Sequence, residues 1–178
     1  MGFASLGSGS RGNGTLVFLG EKLFLIDCGF SLKQAEKRLA RLGVSGGDID
    51  GIFVTHEHAD HISGVVPLSH KYKIPIYASF GTAKSLEKGG DFRCFDGDKK
   101  FELEGVWVNP VSVPHDAREA TQFTFSFKDE CVGVLSDLGF VTDHVLEQFG
   151  SCNQLLLEAN HDEDISVSYT HLRAHETE

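Results

Sequence analysis

A short apolar run, Gly51-Ile52-Phe53-Val54-Thr55, is followed at once by His56-Glu57-His58-Ala59-Asp60-His61. Three of the nine histidines in the chain thus fall within six residues, together with an aspartate. A continuously apolar segment of this length reads as a strand buried on both faces. Imidazole nitrogens and carboxylate oxygens are the donors that a borderline cation such as Zn²⁺ takes, with positions left open for water. A tight loop at the end of a buried strand can aim alternate side chains at two neighbouring ions. Surface histidines in a polar loop are the ordinary alternative, and the density of the cluster argues against it.

The surrounding pattern predicts an α/β layered domain. Residues 15–19 and 23–27 read as strands joined by a turn at Gly20-Glu21. Ser31 with Gln34 three residues later predicts a capping box, and Leu32, Ala35, Leu39 and Leu42 then share a helical face that Gly43 terminates. Residues 51–55 are the buried strand, 62–72 a helix, 74–77 a strand and 80–88 a weaker helix. From residue 92 strands dominate, with 101–103, 106–113, 121–127 and 132–135 rich in β-branched or aromatic residues. A helix over 141–149 and a strand over 154–157 follow. The polar stretch Ser166 to Glu178 has no apolar period and is expected to be a disordered or foreign tail outside the domain of residues 1–165.

Composition narrows the class. A chain of 178 residues suits one domain, and no apolar run approaches the roughly 20 residues of a membrane span. No secretory signal is visible, so a cytoplasmic protein with no membrane partner is expected. Sixteen basic residues against 26 acidic ones give a net charge of −10. That balance argues against strong non-specific nucleic-acid binding but not against a nuclease that carries its own cations. Cys28, Cys94, Cys131 and Cys152 form no close pair in sequence, and four reduced, mostly buried thiols are expected.

Three further residues occupy strand ends. His115 follows the strand at 106–113, Asp137 follows the one at 132–135, and Asp27 closes the one at 23–27. Alone, each would be a turn or solvated residue; beside the cluster, His115 and Asp137 become candidate ligands. Asp27 either orients a ligand histidine or only forms a turn.

Taken together, Asp27 in LIDCG, the cluster HEHADH, His115 in VPHDA and Asp137 in SDLGF resemble the metallo-β-lactamase-fold hydrolases. With the opening FASLGSGSRGNGTLV and the stretch LLLEANHD, the resemblance narrows to the YycJ/WalJ (VicX) nuclease subgroup and covers about residues 2 to 165. It implies a four-layer αβ/βα sandwich with two divalent ions, Zn²⁺ first and Mn²⁺ or Fe²⁺ as alternatives, at one edge between the sheets. By that resemblance His56, His58 and His115 hold one ion, Asp60 and His61 the other, and Asp137 bridges them. It also implies 5′-to-3′ exonuclease action on DNA, with hydroxide generated between the ions as nucleophile. The family's final ligand histidine, in a Gly-His-Leu-like motif well beyond LLLEANHD, has no counterpart here, so the second half of the sandwich is expected to be incomplete. His171 imitates that ligand only superficially.

Around this centre, Asp60 is the candidate to orient the nucleophile and His161 to contact phosphate or protonate the leaving oxygen. The loop from Gly7 to Thr15 offers Ser8, Ser10, Arg11 and Asn13 to a phosphate backbone, although a plain hairpin connection would look much the same. Two other readings stand beside the nuclease: a small-molecule ester, thioester or lactone hydrolase with the same ligands, and a metal-binding but inactive fragment.

Overall fold

The computed structural model of the chain describes residues 1–86 and 89–157. Its first sheet begins as an antiparallel meander of β1 (Gly2–Gly7), β2 (Gly14–Leu19) and β3 (Lys22–Ile26). Three short strands then add in parallel: β4 (Gly51–Phe53), β5 (Ile76–Ser79) and β6 (Phe92–Phe95), for the order β1-β2-β3-β4-β5-β6. Parallel neighbours need crossovers, and α1 (Leu32–Arg41) and α3 (Val65–Tyr72) supply the first two. The four-residue helices α2 (Ala59–Ile62) and α4 (Phe80–Ala83) sit at the ends of β4 and β5.

The second sheet is an antiparallel run of β7 (Phe101–Leu103), β8 (Val106–Ser112), β9 (Thr121–Phe127) and β10 (Glu130–Leu135). A crossover through α5 (Asp143–Phe149) returns the chain to β11 (Gln154–Leu157), parallel to β10 at the sheet's far edge.

Strand alternation divides the core into three. Leu23, Leu25, Ile52, Ile76 and Ala78 point to one face of the first sheet and pack with Ala35, Leu39, Val65 and Leu68 from α1 and α3. Phe24, Ile26, Phe53 and Tyr77 point the other way, against Val108, Phe123, Phe125 and Val134 of the second sheet. An aromatic seam runs through this middle layer: Phe53 stacks on Tyr77 at 4.7 Å and meets Phe24, Phe123 and Phe125 edge-on at 5.2 to 5.3 Å. Val145 and Phe149 of α5 cover the outer face with Val111 and Leu135. Helix, sheet, sheet and helix therefore follow one another, the layering of an αβ/βα sandwich. Among the described residues, α5 is the one helix on the second sheet.

Several expectations meet the structure unchanged, and the strands at 121–127 and 154–157 keep their bounds. Gly43 ends α1 in a Schellman arrangement: at φ +73° its N–H donates to Ala40 O, and Val44 N–H donates to Leu39 O. The Ser31–Gln34 capping box does not form, because the Ser31 side chain makes no cap hydrogen bond. A capping box occurs instead at Ser45 and Asp48, on the single 3₁₀ turn Gly46–Asp48. The helix expected over 62–72 is two helices parted at Gly64, where a Cβ would stand 2.1 Å from Phe30 O. β1 and β6 escape a propensity reading: the first is rich in Gly and Ser, and the second is a four-residue edge strand. The helix expected over 80–88 is α4 at its start, and residues 87–88 lie outside the described residues, as do His161, His171 and the 166–178 tail. Among the described residues no helix is long and apolar enough to cross a membrane.

Candidate metal centre

The site forms where strands of both sheets end. β4 delivers Thr55 and His56 into the interior, and α2 folds back so that His61 reaches the same point. This return brings two backbones very close. Asn13 N–H donates to Asp60 O and Cys28 N–H donates to His61 O, each at 2.7 Å. Gly29 lies under this crossing, and a Cβ there would stand 1.6 Å from Asp60 O, so only glycine fits. The second sheet supplies His115 after β8 and Asp137 after β10. Gly139 N–H donates to Pro114 O at 3.0 Å and joins the two loops. Gln122, buried in β9, accepts from Ser136 N–H and donates to Ser136 O, and so holds the residue before Asp137.

The side chains converge. His56 Nε2 is 3.1 Å from His58 Nδ1, and the His115 ring centroid lies 4.5 Å from that of His56 and 5.1 Å from that of His58. His61 Nε2 is 2.8 Å from Asp137 Oδ2, and its ring centroid is 4.1 Å from that of His56. Two groups of three donors result, His56 with His58 and His115, and His56 with His61 and Asp137; within each, the ligand atoms lie inside 4.8 Å of one another. His56 is common to both.

The donor set fits a divalent cation. Ligands about 2.0–2.1 Å from a tetrahedral ion stand about 3.3 Å apart, close to the separations seen here. His115 Nε2 is buried with no hydrogen-bond partner, and the buried Asp137 Oδ2 has only the His61 Nε2 contact at 2.8 Å. Such orphaned atoms are costly unless something satisfies them.

Behind the rings stands a second tier. Asp27, buried and held at φ +58°, accepts from Thr55 N–H at 2.8 Å and from Thr55 Oγ1 at 2.7 Å. Its Oδ2 also lies 2.8 Å from His61 Nδ1, which turns Nε2 of that ring toward Asp137. Thr55 Oγ1 is 2.9 Å from His56 Nδ1, leaving Nε2 of His56 to face His58. Asp137 is likewise in the left-handed region, at φ +46°. Aspartate tolerates that conformation better than most residues.

Burial and charge tune the group. Burial, with the neighbouring His61, pushes the His56 imidazole down to about 4. Burial also works against a charged His61, but the Asp27 and Asp137 carboxylates outweigh it and raise that ring to about 10. His61 in turn holds Asp137 below the usual carboxylate range, and burial lowers His115.

Asp60 stands at the rim. Its Oδ2 is 3.8 Å from His61 Nε2 and accepts from Asn13 Nδ2 at 3.2 Å, and it joins neither three-donor group. Asn13 is buried and committed to the interior, with Oδ1 accepting from Gly9 N–H and Nδ2 2.9 Å from His61 Nε2. Ser8, Ser10 and Arg11 are exposed on the same loop. Ser8 lines a cleft of about 360 Å³ that also touches Asn13, Asp27, Leu135 and Ser136. Thr55 and Gln122 were not anticipated; position 55, a polar residue closing the apolar run before the cluster, carried the one available signal.

The thiols differ from expectation. All four are free, but only Cys28 is buried, its thiol pushed up to about 12 by that burial. Cys94 is exposed and Cys131 and Cys152 are half-buried.

Comparison with known proteins agrees with this geometry. Residues 22–177 match the family described as Beta-lactamase superfamily domain. The exodeoxyribonuclease YycJ of Bacillus anthracis is 33% identical over 174 residues, covering 90% of this chain and 63% of that protein. The exodeoxyribonuclease WalJ of Streptococcus pneumoniae (serotype 2, strain D39) is 32% identical over 171 residues, covering 92% and 64%. The chain thus spans a little under two thirds of the length of these relatives. A crystal structure of a diphosphatase from the PhnP family superposes with a TM-score of 0.74 at 25% identity, covering 93% of this chain and 79% of that one. On the layered fold, the order of its motifs and these matches, the chain belongs to the metallo-β-lactamase-fold superfamily.

Proposed function

We propose that the chain carries the centre of a divalent-cation-dependent phosphodiesterase that acts on DNA as a 5′-to-3′ exonuclease. The observation that carries this reading is the meeting of two three-donor groups at His56, with His115 Nε2 buried and without a hydrogen-bond partner. The two exodeoxyribonuclease relatives support a phosphodiester substrate, and the diphosphatase neighbour supports hydrolysis at phosphorus. In this reading His56, His58 and His115 would hold one cation and Asp60 and His61 a second, with Asp137 serving both. Bound there, a cation pair supplies Lewis acidity toward phosphoryl oxygens and lowers the pKa of a water molecule.

The chain's own residues do the positioning. Asp27 fixes the His61 ring through Nδ1, and Thr55 fixes His56, so neither side chain needs to reorganise as charge develops. Asn13 holds the Asp60 carboxylate at the rim, where Oδ2 would orient an attacking water. Within the loop, Gly9 N–H is committed to Asn13 and Gly12 N–H to Gly9 O, so Ser8, Ser10 and Arg11 are left to meet the substrate backbone. An isolated cation such as Arg11 suits a phosphate contact in an otherwise acidic chain. His161, outside the described residues, is the proposed proton donor to the leaving oxygen.

The test is a 5′-labelled DNA duplex offered to chelator-stripped chain before and after addition of Zn²⁺ or Mn²⁺. Nucleotides released from the 5′ end only after cation is restored are the expected result. Intact DNA alongside cleavage of a small phosphodiester or thioester would replace the reading with a small-molecule hydrolase.

A further inference from the structure

Outside the metal centre, two sulfurs meet. Cys131 lies at the start of β10 and Cys152 follows α5, and their Sγ atoms are 3.0 Å apart. Both thiols are half-buried, so a small oxidant can reach them while their partners hold them in place. The backbone around them is fixed: Asn153 N–H donates to Cys131 O at 2.9 Å, Cys131 N–H donates to Asn153 Oδ1 at 2.7 Å, and Val132 pairs with Gln154. Cys152 packs on the core formed by Val145 and Phe149 of α5. Bringing the sulfurs to the roughly 2.05 Å of a covalent bond takes about 1 Å of movement, which side-chain rotation can supply.

We propose that Cys131 and Cys152 form a peroxide-responsive dithiol, with Cys131 attacking and Cys152 resolving, whose cross-link ties residues 131–152 into a ring that carries Asp137. The sulfurs share one hydrogen bond that either can donate; with Cys152 donating, Cys131 is lowered and Cys152 raised, which makes Cys131 the better thiolate. In the first step the Cys131 thiolate attacks one oxygen of a hydroperoxide. An S–O bond forms, the O–O bond breaks, and hydroxide or alkoxide leaves, giving Cys131 sulfenic acid. Cys152 sulfur then attacks Cys131 sulfur, the S–S bond forms, and the S–O bond breaks; the departing oxygen takes up the thiol proton and leaves as water. Two electrons pass from the thiol pair to the peroxide. A dithiol reductant reverses the cross-link by exchange.

Treatment of the full chain with hydrogen peroxide, followed by non-reducing digestion and mass spectrometry, tests the proposal. A peptide pair joined through Cys131 and Cys152, two hydrogen atoms lighter than the free peptides and released by dithiothreitol, is expected. Cys152→Ser should leave Cys131 as a sulfenic acid that dimedone captures, and Cys131→Ser should remove both products. The cross-linked wild type should melt roughly 10 °C above its reduced form. Free Cys131 and Cys152 after peroxide, or reaction at Cys94 alone, would overturn the dithiol. A cross-linked chain that melts no later than the reduced one would overturn the ring's constraint. The wild-type peptide map needs neither variant, so it decides the matter even if a serine substitution prevents folding.

Discussion

Asp27 Oδ2 lies 2.8 Å from His61 Nδ1 at the buried base of the site, and both residues are at most 2% exposed. One carboxylate, itself held by Thr55, therefore fixes the ring's orientation and leaves Nε2 turned toward Asp137. Asp27→Asn keeps the left-handed backbone within reach of its side chain but offers an amide where His61 needs a carboxylate. The variant should fold and lose about 10- to 100-fold in cation affinity. Calorimetric titration with Zn²⁺ checks this, and unchanged affinity would remove Asp27 from the centre.

His58 is the most exposed donor of the first group, so its removal should disturb packing least. His58→Ala is expected to lower DNA hydrolysis by roughly 10²-fold or more, on the scale of losing one electrostatic stabiliser of the transition state. The far-UV circular dichroism should stay as in the wild type. Full turnover in the variant would contradict the ligand assignment.

Gly29→Ala tests the crossing beneath the site. The added methyl would need space now filled by Asp60 O, and the loop that carries Asp60 and His61 would have to move. A loss on the order of 3 kcal/mol in urea unfolding is expected. Gly43→Ala is the comparison: its Cβ meets nothing within 4 Å, and only the φ of +73° opposes it. About 1 kcal/mol is expected there. Equal losses at the two positions would show that the crossing is not tight.

Arg11 bears on substrate binding. Arg11→Ala should weaken DNA binding and reduce the slope of log K against log salt by about one. Fluorescence anisotropy across a salt series measures both; an unaltered slope would place the DNA backbone elsewhere.

Much of this centre was legible before any coordinates because chemistry and chain order coincide in it. His56, His58, Asp60 and His61 are near neighbours in sequence, and a buried strand announces where they emerge. Residues that serve the centre only by holding its neighbours through hydrogen bonds leave much less trace. Thr55 shows only as the polar residue that closes an apolar run, and nothing in the local pattern of Gln122 separates it from an ordinary polar strand residue. Asn13 was legible as part of a Gly/Ser-rich loop, but its inward turn depends on Asp60, 47 residues away. Gly64 illustrates the limit for the fold: periodicity continues through it, but its N–H donates to Cys28 O, and Asp60 O, four residues back, accepts from Asn13 N–H, each at 2.7 Å. The unequal sulfurs of Cys131 and Cys152 were hidden for the same reason, since 21 residues separate them and strand pairing unites them.

The quantity closest to the heart of this reading is the number of cations the folded chain holds. Elemental analysis after saturation with Zn²⁺ and removal of the excess is expected to give about two ions per chain, falling in Asp137→Ala. One ion or none in the wild type, with the fold intact by circular dichroism, would contradict a paired centre at His56.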